Sequence, residues 1–289
     1  MKIRAPAKIN LYLRVVGKRR DGYHLLDTIM LPVSLYDELE IRKIRSPLGN
    51  KKTKDGIIEV SCDHPLIPDG EKNIVHRAAR LIMRRADKYE QIHIHIRKRI
   101  PVGAGLGGGS TDAAATLIGL NRLLKLRFSV ARLEKLALSL GADVPFFIRA
   151  RPARARGIGE RLYRLRGIPR FWLVIVYPGF PVSTAWAFKK LPPTLTKPPV
   201  NTSIPTSLKR FDRLANLLVN DLESVTLKRY PKITLLKERL LHQGAAGGLM
   251  SGSGSSVFGI FSSRLEALKA LRRLRQEEGC QAFLVHVLS

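Results

Sequence analysis

The sequence predicts a mixed α and β protein of the α+β class, organised in two parts. Three observations carry that prediction. Short period-two alternations fill most of the first hundred residues, a helix follows the first of two glycine-rich stretches and a strand the second, and the chain changes character near Arg151. A length of 289 residues suits two domains or one large one, and a hydrophobic content of 45% excludes a wholly disordered chain.

Taken in order, Ile9 to Val16 alternates and ends at Gly17, Lys18 to Gly22 is a polar turn, and His24 to Val33 returns as a second strand of a hairpin. Leu39 to Ile44 and Ile57 to Cys62 are two further short strands around a Gly/Lys-rich loop. From Asn73 to Ala86 the spacing is helical, with Ile74, Ala78, Leu81 and Ile82 on one face. QIHIHIRKRI (91–100) alternates perfectly and sets its isoleucines opposite His93, His95, Arg97 and Arg99. PVGAGLGGGST (101–111), crowded with glycine, opens an amphipathic helix from Asp112 to Leu124. Ser129 caps a second helix running to Leu140, and GADVPFFI (141–148) leads back into an apolar strand.

Beyond Arg151, Pro152, Gly157 and Gly159 mark a basic linker, which places a boundary between domains 1–158 and 159–289. Phe171 to Tyr177 is a buried strand ended by Pro178-Gly179. Leu191 to Ser207 is an exposed Pro/Thr-rich loop, followed by helices at Leu208–Leu218 and Ile233–Gln243. AAGGLMSGSGSS (245–256) leads into a strand at Val257–Phe261. Ser263 and Glu266 form a capping box for a helix to Glu277, and Ala282–Val287 is the last strand.

Lys+Arg 51 against Asp+Glu 23 gives a formal net charge of +28. Such a balance serves nucleic acid, an anionic membrane surface or acidic small molecules. The cations are spread from Lys2 to Arg275 without a basic tail, with local clusters such as KKTK (51–54) and RARPARAR (149–156), so a solvated surface is the favoured reading. Cys62 and Cys280 are too few for a disulfide scaffold or a Cys-rich zinc module. The longest apolar run, FWLVIVY, is too short to cross a bilayer, and Pro6, Lys8 and Asn10 interrupt any leader-like segment. A soluble, cytoplasmic protein is expected. His93 and His95 lack an accompanying carboxylate or cysteine and read as a solvated strand face rather than a metal pair. Cys62 has no activating signature, and GSGSS is not a nucleophile elbow.

A glycine-rich loop opening a helix is a physical anion site. Its backbone can approach closely, successive N–H groups point at phosphate oxygens, and the helix N-terminus adds its dipole. The 101–111 loop has this form, with Ser110 and Thr111 where a hydroxyl reaches a phosphate or a metal; the alternative is a tight strand-to-helix connection. Gly103-x-Gly105-x-x-Gly108 formally matches the dinucleotide fingerprint. The acidic strand end expected about 20 residues on is instead RFSVARLE, the start of a helix. No lysine lies between Lys98 and Lys125, so the loop is not a Walker A motif either.

PAKINLYL (6–13), PVGAGLGGGST and GSGSS (252–256), in that order, resemble the GHMP kinases, the family of galactokinase, homoserine kinase and mevalonate kinase. Within it APAKINLYL (5–13), DGYHLLDT (21–28), NIVHRAARLIM (73–83), LGADVPFF (140–147) and GIGE (157–160) are most similar to the branch acting on a cytidine diphosphate-linked methylerythritol. The resemblance implies a ribosomal-protein-like N-terminal domain and a ferredoxin-like C-terminal domain, with the active site in the cleft between them. It also implies ATP-dependent phosphorylation of a small alcohol, with Mg2+ as the metal. Lys8 and Asp143 map onto the catalytic pair. Pro101, Val102, Gly103, Ala104, Gly105, Leu106, Gly107, Gly108, Gly109, Ser110 and Thr111 would wrap the ATP phosphates, with Ser110 nearest the metal; no clear acidic magnesium ligand is present. Asn73 and Lys98 fall near the adenosine. Asn10, Tyr23, His24 and Phe188 fall on the substrate, Tyr23 and Phe188 as stacking faces and His24 as the polar reader. GSGSS would close over the phosphates or the substrate. The partner expected is a small molecule rather than a membrane or nucleic acid, and the protein a monomer or homodimer. Two rivals stay open: another small-molecule kinase of the family, and a nucleic-acid-binding protein on the same fold.

Overall fold

The computed structural model describes residues 1–44, 56–192 and 210–289. The KKTK cluster, most of the Pro/Thr-rich loop and the start of the helix expected at Leu208 lie outside the described residues.

The chain divides into two compact units, each assembled from several segments. One comprises Met1–Ala7, Tyr36–Val102 and Gly107–Ala150; the other comprises Lys8–Leu35, Gly103–Leu106 and Arg151–Ser289. The expected division cuts the chain once, whereas these units exchange it several times. Two long strands, β1 (Lys2–Lys18) and β2 (His24–Lys43), contribute to both. The sequence reading found only parts of them. Small residues hide the alternation at Ala5 and Ala7, and Pro32 and Ser34 interrupt it in β2.

In the first unit β3 (Ile57–Cys62) pairs parallel with β4 (Gln91–Arg97), and β4 pairs antiparallel with the second half of β2. Ile92, Ile94 and Ile96 are buried, as the alternation requires. The other face of β4 is half-buried, and His93 Nε2 and His95 Nδ1 both meet Ser61 Oγ, at 3.3 and 2.9 Å. Helix α1 (Ile74–Ala86) packs on α2 (Gly108–Leu123), which in turn touches α3 (Val130–Leu138) and α4 (Val144–Arg149). Ser129 caps α3 as expected, its hydroxyl accepting from Arg132 N at 3.2 Å. The strand expected in GADVPFFI is instead the short helix α4. A five-residue apolar run does not distinguish the two, and Pro145 at the second helical position favours the helix start.

In the second unit the stretch beyond Arg151 expected as a basic linker is not one. It enters an antiparallel hairpin of β5 (Ala153–Gly157) and β6 (Arg161–Arg164), with β5 paired to the first half of β2. Ala153 and Ala155 are buried, and Arg154 forks onto Asp27, with Nε at 2.7 Å and Nη2 also bonded. Alanine makes the apolar alternation faint, which explains the misreading. The remaining strands are β7 (Trp172–Tyr177), β8 (Val219–Asn220), β9 (Gly247–Met250), β10 (Val257–Phe261) and β11 (Gln281–His286). The helices are α5 (Thr184–Lys190), α6 (Phe211–Ala215), α7 (Glu223–Arg229), α8 (Pro231–His242) and α9 (Arg264–Leu274).

Strand β8 adds in parallel to β1 at Tyr12 and Leu13. Strands β11, β7, β10 and β9 form a four-stranded antiparallel sheet in that order. Helix α8 precedes β9 and α9 precedes β11, and both pack on the sheet, giving the split βαβ arrangement of ferredoxin-like folds. Its core gathers Val174, Val176, Leu236, Leu240, Val257 and Leu271. The Ser263 half of the expected capping box is present, its hydroxyl accepting from Leu265 N at 3.1 Å.

Ile94 is fully buried where β4 meets both neighbours, opposite Ile41 and Val60. Ile94→Ala is expected to lower stability by about 2–5 kcal/mol, read from urea unfolding.

Candidate active site

The segment Gly103–Leu106 is shaped by its carbonyls. Gly103 O accepts from Val182 N at 2.9 Å, Ala104 O from Ser256 N at 3.2 Å, Gly105 O from Ser251 Oγ at 3.0 Å, and Leu106 O from Lys8 N at 2.9 Å. Carbonyl and amide point opposite ways across a trans peptide, so the amides of Ala104 to Gly107 face away from these partners. Gly103, Gly105 and Gly107 all have positive φ, the alternation that curves a backbone into an anion-binding nest. At Gly105 a Cβ would stand 1.9 Å from Ser251 O. Gly107 is the N-cap of α2, and the glycines at 108 and 109 are already helical, so α2 begins earlier than the sequence spacing indicates. The first-turn amides of Gly108, Gly109 and Ser110 have no carbonyl one turn back to bond.

Lys8 and Asn10 project from β1 and are almost completely buried. Lys8 Nζ donates to Asn10 Oδ1 at 2.5 Å, Asn10 Nδ2 donates to Thr28 Oγ1 at 2.9 Å, and Thr28 Oγ1 donates to Tyr12 O at 2.6 Å. The second glycine-rich loop lies against this pair. Asn10 N donates to Ser251 Oγ at 3.4 Å, and a Cβ on Gly252 would meet Asn10 Oδ1 at 3.3 Å and Lys8 Nζ at 3.4 Å. The whole stretch Ser251–Ser256 is buried.

What holds this loop was missed by sequence reasoning: the run Asn220-Asp221-Leu222-Glu223. Asn220 Nδ2 donates to Met250 O at 2.7 Å and Gly252 O at 2.8 Å, while its Oδ1 accepts from Leu222 N at 3.0 Å. Asp221 takes Val15 N and Arg14 Nη1, both at 2.8 Å, and Glu223 takes Met250 N at 2.9 Å. Three side chains within four residues thus tie β1 and the loop together. The only local signal is a polar, charged run between two apolar stretches.

His24 and Phe188, far apart in sequence, stack with ring centroids 5.3 Å apart and planes at 25°. Burial, and secondarily the Lys18 charge, lower the His24 pKa, so its ring is neutral at pH 7. Tyr23, beside it, is 60% exposed. In the first unit Asp143 is half-buried at the N-cap position of α4.

Asn73 and Lys98 are both engaged within the protein. Asn73 caps α1, its Oδ1 accepting from Val75 N and its Nδ2 donating to Pro68 O, each at 2.9 Å. Lys98 is buried between two acids: Nζ bonds Asp37 Oδ2 and reaches Asp112 Oδ2 at 2.8 Å. Burial opposes the Lys98 ammonium, but Asp112 and Asp37 outweigh it and hold its pKa above the ordinary lysine value. One ammonium does not neutralise both acids. Burial raises the Asp112 carboxyl to about 7, with Lys98 pulling it down and Asp37 pushing it up. Burial also raises the Cys62 thiol, consistent with an inert cysteine. Among the described residues no group of three His, Cys, Asp or Glu side chains could hold a metal ion, and no helix is long and apolar enough to cross a membrane.

A buried lysine beside a glycine-rich loop that opens a helix, with a ferredoxin-like sheet in the second unit, is the arrangement the resemblance to a family of small-molecule kinases implies. Family models describing the GHMP kinases N terminal domain and GHMP kinases C terminal match residues 73–151 and 204–279. The chain belongs to the GHMP kinase family. It is 47% identical over 288 residues, all of this chain and 99% of the relative, to the 4-diphosphocytidyl-2-C-methyl-D-erythritol kinase of Citrifermentans bemidjiense. It is likewise 47% identical to the enzyme of that name from Syntrophotalea carbinolica, over 97% of this chain and 96% of the relative. Among solved structures it is similar to a 4-(cytidine 5'-diphospho)-2C-methyl-D-erythritol kinase, with 34% identity, full coverage of both chains and a TM-score of 0.81. The mevalonate kinase of Methanococcus jannaschii, at 14% identity and a TM-score of 0.72 over 100% and 98% of the chains, shares the fold.

The raised Asp112 carboxyl makes a pH prediction. Between its ordinary value of 3.8 and about 7 the folded protein keeps a proton that the unfolded chain has lost, so this group's contribution falls as pH rises through that window. Relative to Asp112→Asn, the parent protein is expected to lose thermal stability from pH 4 to 7 and to run parallel above it. A difference independent of pH would contradict this.

Proposed function

We propose that this protein transfers the γ-phosphoryl group of ATP to the 2-hydroxyl of 4-diphosphocytidyl-2-C-methyl-D-erythritol, giving the 2-phosphate in the non-mevalonate route to isoprenoid precursors. The observation that carries this reading is the end-to-end likeness to relatives of that activity, at 47% identity over 288 residues. The site geometry supports it.

The substrate oxygen attacks the γ-phosphorus, the bond to the β-phosphate oxygen breaks, and ADP leaves. Asp143 accepts the hydroxyl proton as the new bond forms. Lys8 contributes positive charge where the transferring group and the developing alkoxide need it, and Asn10 orients the methylerythritol end. The amides of the 103–110 nest and the first turn of α2 cradle the ATP phosphates. The Ser110 hydroxyl would hold Mg2+ together with the ATP phosphates, where the ion would supply positive charge to the transferring group. Among the described residues no group of three His, Cys, Asp or Glu side chains could hold the ion by itself.

The stacked His24–Phe188 pair reads the cytosine: one ring face is already provided, and a neutral imidazole both donates and accepts. Tyr23 supplies a second, exposed face. Because Asn73 and Lys98 are engaged within the protein, neither side chain is assigned to the adenosine. The protein is placed in the cytoplasm, where ATP and Mg2+ are supplied.

Coupled ADP release with ATP, Mg2+ and the cytidyl substrate tests the reading, with mevalonate and homoserine as controls. Turnover is expected with the cytidyl substrate alone, and Asp143→Asn is expected to lower kcat by about 10²–10⁴-fold. Activity with another alcohol and none with this one would overturn the assignment. A separate expectation concerns His24→Ala: it raises KM for the cytidyl substrate and leaves KM for ATP unchanged in steady-state kinetics.

A further inference from the structure

We propose that Lys98, with Asp37 and Asp112, is a positioning residue for the phosphate-binding loop: a buried clamp that fixes the loop's two ends before ATP arrives. The inference rests on reading that loop as the ATP phosphate site.

The three groups lie at the points where the chain enters and leaves the loop. Asp37 Oδ1, on β2, accepts from Arg99 N at 2.7 Å and Ile100 N at 2.8 Å, pinning the backbone that runs into Pro101. Asp112 lies near the start of α2, where the chain runs out of the loop. Lys98 Nζ joins one to the other, bonding Asp37 Oδ2 and standing 2.8 Å from Asp112 Oδ2. All three side chains are at most 4% exposed. The ammonium sits directly beneath the helix start, since a Cβ on Gly108 would stand 3.2 Å from it. The glycine that lets the backbone approach a phosphate from above thus also leaves room for the lysine below.

This is a poor arrangement for stability alone. Two acids share one base, and Asp112 Oδ1 is buried without a hydrogen-bond partner among the described residues. Buried ion pairs of this kind are commonly no better than well-packed apolar residues. What the cluster supplies is direction and spacing: rigid bonds to both ends of a glycine-rich segment that would otherwise have to be ordered when the nucleotide binds. Ordering in advance removes that cost from ATP affinity.

The test uses the full-length protein and two readouts. Hydrogen exchange without ligand follows the hydrogen-bonded amides of Arg99, Ile100 and Thr111, with the amides of β10 as the internal reference. Steady-state kinetics separate KM for ATP from KM for the alcohol. Lys98→Met is expected to speed exchange at those three amides about tenfold or more relative to β10, and to raise KM for ATP about tenfold, with KM for the alcohol within about twofold. Lys98→Arg, which keeps the charge, is expected to restore part of both. Asp112→Asn keeps the shape of the site and serves if Lys98→Met does not fold; it should move both readouts in the same direction. Unchanged exchange at the loop ends, exchange raised equally throughout the protein, or an unchanged KM for ATP in a folded variant would overturn the proposal. The exchange arm needs no turnover, so a protein inactive toward the cytidyl alcohol would count against the proposed reaction and leave the clamp to be judged separately.

Discussion

Four consecutive carbonyls, Gly103 to Leu106, are each taken by a different donor: a backbone amide after β7, one from the second glycine-rich loop, a serine hydroxyl from the same loop, and the amide of Lys8. Glycine-rich chain has no preferred shape of its own, because its backbone entropy is high and it has no side chains to pack. Here the shape is imposed from outside, by hydrogen bonds to the loop's carbonyls. The amides then present themselves as a geometric consequence. Lys8 takes part in both layers, its backbone amide holding the first loop and its ammonium lying beside Asn10 and the second glycine-rich loop.

The same logic extends one layer further out. The second glycine-rich loop, which supplies two of those donors, is itself held by Asn220, Glu223 and Thr226. A buried asparagine whose oxygen and nitrogen both find backbone partners is costly to disturb, because any substitution strands the groups it satisfied. Positional accuracy therefore passes inward from β8 through the second loop to the first. In the other unit the Asp37–Lys98–Asp112 cluster ties down the chain on either side of the loop.

Legibility in the sequence followed the range of the interactions. The isoleucine alternation of β4, the Ser129 cap and the strand at Val257–Phe261 are decided by neighbours in the chain, and all three were readable. The Val144–Arg149 helix was mistaken for a strand because a short apolar run carries no period, and the β5–β6 hairpin was missed because its inward residues are alanines. The glycine nest was visible as composition. Its shape was not, since it depends on carbonyl partners as distant in sequence as Val182 and Ser256. Resemblance singled out Tyr23, His24 and Phe188 one by one but not the stacking of His24 on Phe188, and nothing local marked Asn220 or placed Lys98 between two acids. Asn73, noticed by resemblance for a ligand, also serves as the cap of α1.

The interleaving of the two units also governs how the chain is made. Strand β1 is made well before its partner β8 at Val219–Asn220, some two hundred residues downstream, and the segment Lys8–Leu35 belongs to the unit completed only by Arg151–Ser289. Neither unit is a contiguous stretch that folds as soon as it is translated. A strand carrying a buried lysine and asparagine waits, incompletely paired, for most of the synthesis, the situation in which non-local sheets are slow and exposed to wrong partners.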